Sequence, residues 1–126
     1  MEPSNQHTIL VVEDDRDVRE SIVDVLEDND YIARGAGNGA DALDQLKDGG
    51  VRPCVILLDI MMPVMDGWQF RAAQQTDPEL SAIPVVVLTA HTSAKEAAEQ
   101  MKAAGFLKKP VQLSALLSAV ERFCGG

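Results

Sequence analysis

Three short runs of consecutive apolar residues constrain the fold of this chain more than any other feature. They occupy residues 9–12, 55–58 and 85–88, and none of them alternates with polar residues. Uninterrupted apolar runs of this length are typical of strands that are buried on both faces, as in parallel sheets. A parallel sheet with three central strands is therefore expected.

The intervening segments show helical spacing of apolar residues over residues 16–28, 68–75 and 113–123. Asn38 and Ser93 are expected to cap two further helices, the second of which continues through Ala104. Weaker apolar runs at residues 31–36 and 106–107 indicate edge strands. We therefore predict an α/β fold, with a doubly wound five-stranded parallel sheet of strand order 2-1-3-4-5, because this flavodoxin-like order places the three strongest strands in the middle.

Composition narrows the class of protein. The 126 residues suffice for one domain with a real core. The net charge of −9 argues against direct binding of nucleic acid, which requires Lys and Arg on phosphates. No apolar run approaches the ~20 residues of a membrane span, and the polar start lacks the features of a signal peptide, so a cytoplasmic protein without membrane contact is expected. Cys54 and Cys124 are accordingly expected to be reduced thiols.

Polar residues follow the predicted strands at the points where the strands end. They are Glu13, Asp14, Asp15, Asp59, Thr89 and Lys109. We expect them to converge, because the carboxyl ends of parallel strands meet at one edge. Two carboxylates about 4 Å apart repel by about 4 kcal/mol at an effective dielectric near 20, so positive charge is needed among them. Mg²⁺ suits carboxylate oxygens, and Lys109 and Thr89 suit an anionic group. The set indicates phosphoryl transfer to a carboxylate, with Asp59 as the nucleophile.

Four motifs then carry a resemblance to a known family. They are LVVEDD at residues 10–15, LLDIMMPVMDG at 57–67, VVLTA at 86–90 and KP at 109–110. In this order, one per strand end, they make the chain similar to a receiver domain of the two-component response regulators. The resemblance implies a receiver domain over residues 8–124, a mobile tail at 1–7 and a C-terminal end at 125–126.

The resemblance also implies a role for individual residues. Asp59 would accept a phosphoryl group from a phosphohistidine on a sensor histidine kinase or histidine phosphotransfer protein. Mg²⁺, for which Mn²⁺ can substitute, would be held by Asp14, Asp59 and the backbone carbonyl of Met61, with Glu13 acting through water. The phosphoryl oxygens would be bound by Thr89, Ala90 and Lys109. The chain would catalyse its own phosphorylation and dephosphorylation rather than turn over small substrates, and it would signal to a downstream protein target.

Further expectations concern the switch and the residues around it. Thr89 and Phe106 would form the conformational switch, and the Lys109–Pro110 bond would be cis. Asp15 and His91 are candidate auxiliary residues. Because Gly105 runs directly into Phe106, the exit of the fourth helix is expected to be shorter than is usual in the family.

Three other functions remain as alternatives. A degenerate receiver would act as a protein-interaction module without phosphorylation. A phosphatase of the haloacid-dehalogenase type needs a second acid two residues after the nucleophile, where this chain has Met61. A flavin carrier would bind phosphate after the first strand, where Glu13, Asp14 and Asp15 would repel it.

Overall fold

The computed structural model describes residues 7–90 and 94–125, which form alternating strands and helices. The elements are β1 Thr8–Val12, α1 Arg16–Asp28, β2 Ile32–Ala36, α2 Gly39–Lys47, β3 Val55–Asp59, α3 Gly67–Gln75, β4 Val85–Thr89, α4 Ala94–Gln100, β5 Gly105–Lys108 and α5 Leu113–Cys124. The tail expected at residues 1–7 and the Ser93 cap fall largely outside the described residues.

All the strands pair in parallel in the order β2-β1-β3-β4-β5, which confirms the predicted doubly wound sheet. Every residue of β3 and β4 is buried, whereas the edge strand β2 is mostly exposed. Alternate residues of the central strands supply two apolar clusters, one on each face of the sheet. The uninterrupted apolar runs therefore arise because helices cover both faces.

Helix starts follow the local chemistry of the sequence. The Asn38 side chain accepts a hydrogen bond from the backbone N–H of Asp41, as expected for a cap of α2. Asp66 and Gln69 form a reciprocal capping box at the start of α3. No helix among the described residues is long and apolar enough to cross a membrane.

The end of α4 differs from the expectation that it continues through Ala104. The helix ends at Gln100, and Lys102 adopts a left-handed conformation with φ of 57°. The backbone carbonyls of Met101 and Lys102 each accept a hydrogen bond from the Arg71 guanidinium, at 2.9 and 2.7 Å. The turn is therefore held by a side chain of α3.

Arg71 belongs to a buried polar network between α3 and the turn after α4. Its Nη1 donates to Gln74 Oε1 at 2.7 Å, and Gln74 Nε2 donates to the carbonyls of Leu80 and Ile83 at 2.9 and 3.0 Å. Burial lowers the pKa of Arg71 from its ordinary value. The network satisfies backbone carbonyls in the turn after α4 and in the segment between α3 and β4, and this explains how two polar side chains are accommodated in the interior.

The expectation of reduced thiols is wrong in this structure, where Cys54 and Cys124 form a disulfide. Cys54 lies just before β3 and its N–H donates to the carbonyl of Thr8, while Cys124 is the last residue of α5. The two Cα atoms are 5.4 Å apart, within the range for a disulfide. The path of α5 back along the sheet brings together two cysteines that are 70 residues apart.

The loop between β3 and α3 contains a strained residue. Val64 has φ of 67°, and the Met65 N–H donates to the Pro63 carbonyl across it at 2.7 Å, as in a classic γ-turn. A β-branched residue is disfavoured at positive φ. Val64 is 82% exposed, so packing of its side chain offsets little of this strain.

We expect Val64→Gly to raise the free energy of unfolding by about 1 kcal/mol, because glycine adopts positive φ without steric cost. Val64→Ala is the matched control, since it removes the branch but keeps a Cβ. Urea denaturation of the three proteins measures the difference. At a position with negative φ, a glycine variant is less stable than an alanine variant. A lower free energy of unfolding for Val64→Gly than for Val64→Ala would therefore contradict the presence of strain at Val64.

Candidate functional site

The carboxyl ends of four strands bring the predicted site residues to one edge of the sheet. Asp59 and Thr89 are the last residues of β3 and β4, and Glu13 and Lys109 come directly after β1 and β5. The Lys109 N–H donates to the Thr89 carbonyl at 3.0 Å, which joins the ends of β4 and β5. The Lys109–Pro110 peptide bond that follows is cis, as expected.

Three carboxylates form an acidic cluster at this edge. Glu13, Asp14 and Asp59 each place a carboxylate oxygen within 4.8 Å of the others. Glu13 and Asp59 are buried, whereas Asp14 is exposed. The cluster has the oxygen donors that a hard divalent cation prefers, with one carboxylate open to solvent.

Lys109 supplies positive charge to the cluster. Its Nζ lies 2.5 Å from Glu13 Oε1 and 3.4 Å from Asp59 Oδ2. The contact with Glu13 is a close ion pair between the ammonium group and a buried carboxylate. Burial acts to lower the pKa of Lys109, but the two carboxylates outweigh burial and raise the pKa above its ordinary value. Lys109 is therefore held as an ammonium ion.

Asp59 is the carboxylate whose ionisation is most strongly affected. Burial, followed by the negative charge of Glu13, raises its pKa from 3.8 to about 7, although Lys109 acts in the opposite direction. One lysine therefore does not fully compensate the acids. A second cation at this edge would favour the ionised form of Asp59.

Gly67 allows the start of α3 to approach the backbone next to Asp59. A Cβ at position 67 would lie 2.7 Å from the Asp59 carbonyl oxygen and 2.8 Å from the Ile60 Cα. The Gly67 N–H instead donates to the Ile60 carbonyl at 2.9 Å. A glycine that follows an aspartate reads as ordinary turn chemistry in the sequence, so this contact with the site could not be anticipated.

The structure does not place the Asp15 carboxylate in the acidic cluster. Asp15 is the N-cap of α1, and its side chain accepts hydrogen bonds from the N–H groups of Asp17 and Val18. Its own N–H donates to Glu13 Oε2 at 3.0 Å. Asp15 therefore contributes to the geometry of the loop after β1 through its backbone.

The remaining candidate residues differ in their exposure. Thr89 is buried, whereas Ala90 and Met61 are exposed. Phe106 pairs in register with Val87 on β4, and its side chain is 39% exposed. Val87 and Thr89 are two residues apart on β4, so their side chains lie on the same face of the sheet. Phe106, which is paired with Val87, lies on that face as well. His91 lies outside the described residues.

Comparisons with known proteins agree with this arrangement. The response regulator MprA of Mycobacterium sp. (strain KMS) is 40% identical over 116 residues, which cover 90% of this chain and 48% of the relative. The chain thus spans about half the length of the curated relatives it matches. The chemotaxis protein CheY4 of Vibrio cholerae superimposes with a TM-score of 0.83 at 30% identity, covering 94% of this chain and 98% of CheY4.

A second similar structure shares the fold. The receiver domain of the sensor histidine kinase PA1611 from Pseudomonas aeruginosa PAO1, solved with a magnesium ion coordinated in its active site cleft, has a TM-score of 0.85 at 24% identity. The aligned region covers 96% of this chain and 99% of that domain. The response regulator receiver domain family matches residues 9–121. This chain therefore belongs to the receiver domain family of the response regulators of two-component signalling.

Proposed function

We propose that this chain accepts a phosphoryl group on Asp59 from a phosphohistidine of a sensor histidine kinase or histidine phosphotransfer protein. The observation that carries the proposal is that Asp59 lies at one edge of the sheet together with the acids Glu13 and Asp14. Lys109 and Thr89 lie at the same edge. The receiver domain would extend over residues 8–124, with residues 1–7 and 125–126 outside it.

Mg²⁺ is the cofactor that the acidic cluster suits best, and Mn²⁺ would substitute for it. Exposed Asp14 and buried Asp59 would provide direct carboxylate ligands, together with the backbone carbonyl of Met61. Both oxygens of Glu13 are already engaged, one facing Lys109 and one accepting from the N–H of Asp15, which supports a contribution through water. The magnesium ion in the related PA1611 receiver domain also supports this choice.

The transfer would proceed by attack of an Asp59 carboxylate oxygen on the phosphorus of the phosphohistidine. A bond from oxygen to phosphorus forms as the bond from nitrogen to phosphorus breaks, and the electron pair leaves with the imidazole. When bound, Mg²⁺ neutralises charge on the acids and on the transferred group. The nucleophile must be ionised, and a divalent cation would favour that form of Asp59, whose pKa is otherwise raised to about 7.

Lys109, Thr89 and the backbone of Ala90 would hold the phosphoryl oxygens of the product. Lys109 already lies within 3.4 Å of Asp59 Oδ2, so little movement would be needed. Movement of Thr89 toward the phosphoryl group would be reported by Phe106, which lies on the same face of the sheet and is partly exposed. A downstream protein, or a further domain in a longer chain, would read that change.

Labelling with a small phosphodonor tests the proposal. We expect acetyl phosphate and Mg²⁺ to add one phosphoryl group, with a product labile to alkali and to hydroxylamine and no labelling in excess EDTA. Asp59→Asn should abolish labelling. Asp44→Asn, which removes an exposed carboxylate on α2, should leave it unchanged. Mass spectrometry of the intact protein measures the added group.

Two outcomes would contradict the proposal. Labelling that persists in Asp59→Asn would move the acceptor to another residue. Wild-type protein that stays unlabelled with every donor, histidine phosphotransfer proteins included, would favour a degenerate receiver that acts only by binding a partner.

A further inference from the structure

Arg19 of α1 contacts the backbone at the point where the acidic cluster begins. Its Nη1 donates a hydrogen bond to the carbonyl oxygen of Glu13 at 2.8 Å. That carbonyl belongs to the peptide unit that joins Glu13 to Asp14. Because a peptide unit is planar, holding its oxygen also restrains the Cα of Asp14, from which the exposed carboxylate projects.

The glycine in β2 makes room for this side chain. A Cβ at Gly35 would lie 3.0 Å from Arg19 Cδ and 3.2 Å from Cγ, so the arginine stem lies directly across the glycine. At the next glycine, Gly37, a Cβ would lie 3.7 Å from Arg19 Nη1. The path of the side chain from α1 to the Glu13 carbonyl is therefore open because Gly35 in β2 and Gly37 just after it carry no side chain.

Other hydrogen bonds restrain the same turn on its remaining sides. The Glu13 N–H donates to the Ala36 carbonyl at 3.0 Å, and the Asp15 N–H donates to Glu13 Oε2 at 3.0 Å. Arg19 completes this set by restraining the carbonyl between the two acids. Groups that orient metal ligands from outside the ligand set commonly change metal affinity when they are removed.

We infer that Arg19 is a positioning residue for the divalent cation site, acting through the Glu13–Asp14 peptide. The inference rests on the proposed Mg²⁺ site. As a cation, Arg19 would by charge alone weaken the binding of a metal ion. Its contact with the backbone instead predicts that its removal weakens binding.

The experiment compares two arginines of α1 that carry the same charge. Arg19→Met removes the contact with Glu13, whereas Arg16→Met removes an exposed arginine that pairs with Glu20 one turn away. Isothermal titration calorimetry measures the dissociation constant for Mg²⁺, and thermal unfolding without metal measures stability. We expect Arg19→Met to weaken Mg²⁺ binding about tenfold, and Arg16→Met to leave it within about twofold of wild type.

Two further variants separate position from charge. Gly35→Ala keeps the charge of Arg19 but displaces its stem, so it should also weaken Mg²⁺ binding. Arg19→Lys retains a donor on a long side chain and should restore part of the affinity. A role in stability alone would lower the unfolding temperature of these variants without changing their Mg²⁺ affinity.

The inference is overturned if Arg19→Met and Arg16→Met have equal effects, or if Gly35→Ala binds Mg²⁺ as wild type does. These results leave the proposed function intact, because the wild-type titration measures the cation site independently. A wild-type protein that binds no Mg²⁺ would overturn the proposed metal site together with the inference.

Discussion

Asp59→Asn is expected to be more stable than the wild type by on the order of 2 kcal/mol at pH 8 in the absence of metal. The folded protein raises the pKa of Asp59 from 3.8 to about 7, so ionising this carboxyl is costly in the folded state. The full shift corresponds to about 4 kcal/mol, and we expect about half of it because Glu13 and Lys109 titrate together with Asp59. Asparagine has nearly the same shape and carries no charge.

The sign of the pH dependence follows from the direction of the shift. The Asp59 carboxyl ionises near pH 3.8 in the unfolded chain but near pH 7 in the folded protein. Its contribution to stability is therefore fully present below pH 3.8 and is lost as the pH rises through about 7. The wild type should therefore lose stability between about pH 4 and about pH 7 relative to Asp59→Asn, with little further change above pH 7, and the difference should vanish toward pH 4. Urea denaturation in EDTA across this range measures it, with Asp44→Asn as the charge-matched control. A difference that does not vary with pH would contradict the assignment to Asp59.

Arg71→Met is expected to lower the free energy of unfolding by about 3 kcal/mol. The substitution keeps a long side chain but leaves three acceptors without their donor, two of them buried and one partly buried. They are the carbonyls of Met101 and Lys102 and the side-chain oxygen of Gln74. An unsatisfied buried polar group costs about 1–3 kcal/mol, and local rearrangement of the turn after α4 recovers part of the total.

Arg34→Met is the control, because Arg34 is exposed and makes one long contact with Gln45 at 3.5 Å. Guanidinium denaturation compares the two variants with wild type, and amide exchange shows where protection is lost. We expect the loss to concentrate in the turn between α4 and β5. Equal stability of the two methionine variants would show that the buried network contributes no more than an exposed arginine.

The sheet could be predicted from sequence because its central strands are covered on both faces and must be apolar at every position. Val55–Asp59 and Val85–Thr89 are buried throughout, and no other helix or strand within residues 7–90 and 94–125 has this pattern. The strand order then places the polar strand ends at one edge, so the meeting of Asp59, Thr89 and Lys109 could also be anticipated.

The interactions that hold the turn after α4 and the loop after β1 could not be predicted in the same way. Arg71 and Gln74 lie three residues apart on a helix, a spacing that equally suits an exposed face. The turn after α4 and the segment between α3 and β4 cover them in the fold. Arg19 likewise resembles any polar residue of α1 until the fold places Gly35 beneath it. Asp15 resembles a third metal ligand because sequence spacing does not distinguish an acid that caps a helix from one that faces a cation.

The disulfide between Cys54 and Cys124 divides the chain into an open segment and a covalently closed ring. The ring runs from the start of β3 to the end of α5, so it contains the proposed phosphoacceptor Asp59 together with Thr89 and Lys109. Glu13 and Asp14 lie on the open segment, which ends before the ring begins. The phosphoryl-binding residues of the proposed site thus belong to one cyclic piece of chain, while Glu13 and Asp14 follow a strand outside the ring, and the pairing of β1 with β3 brings them to it.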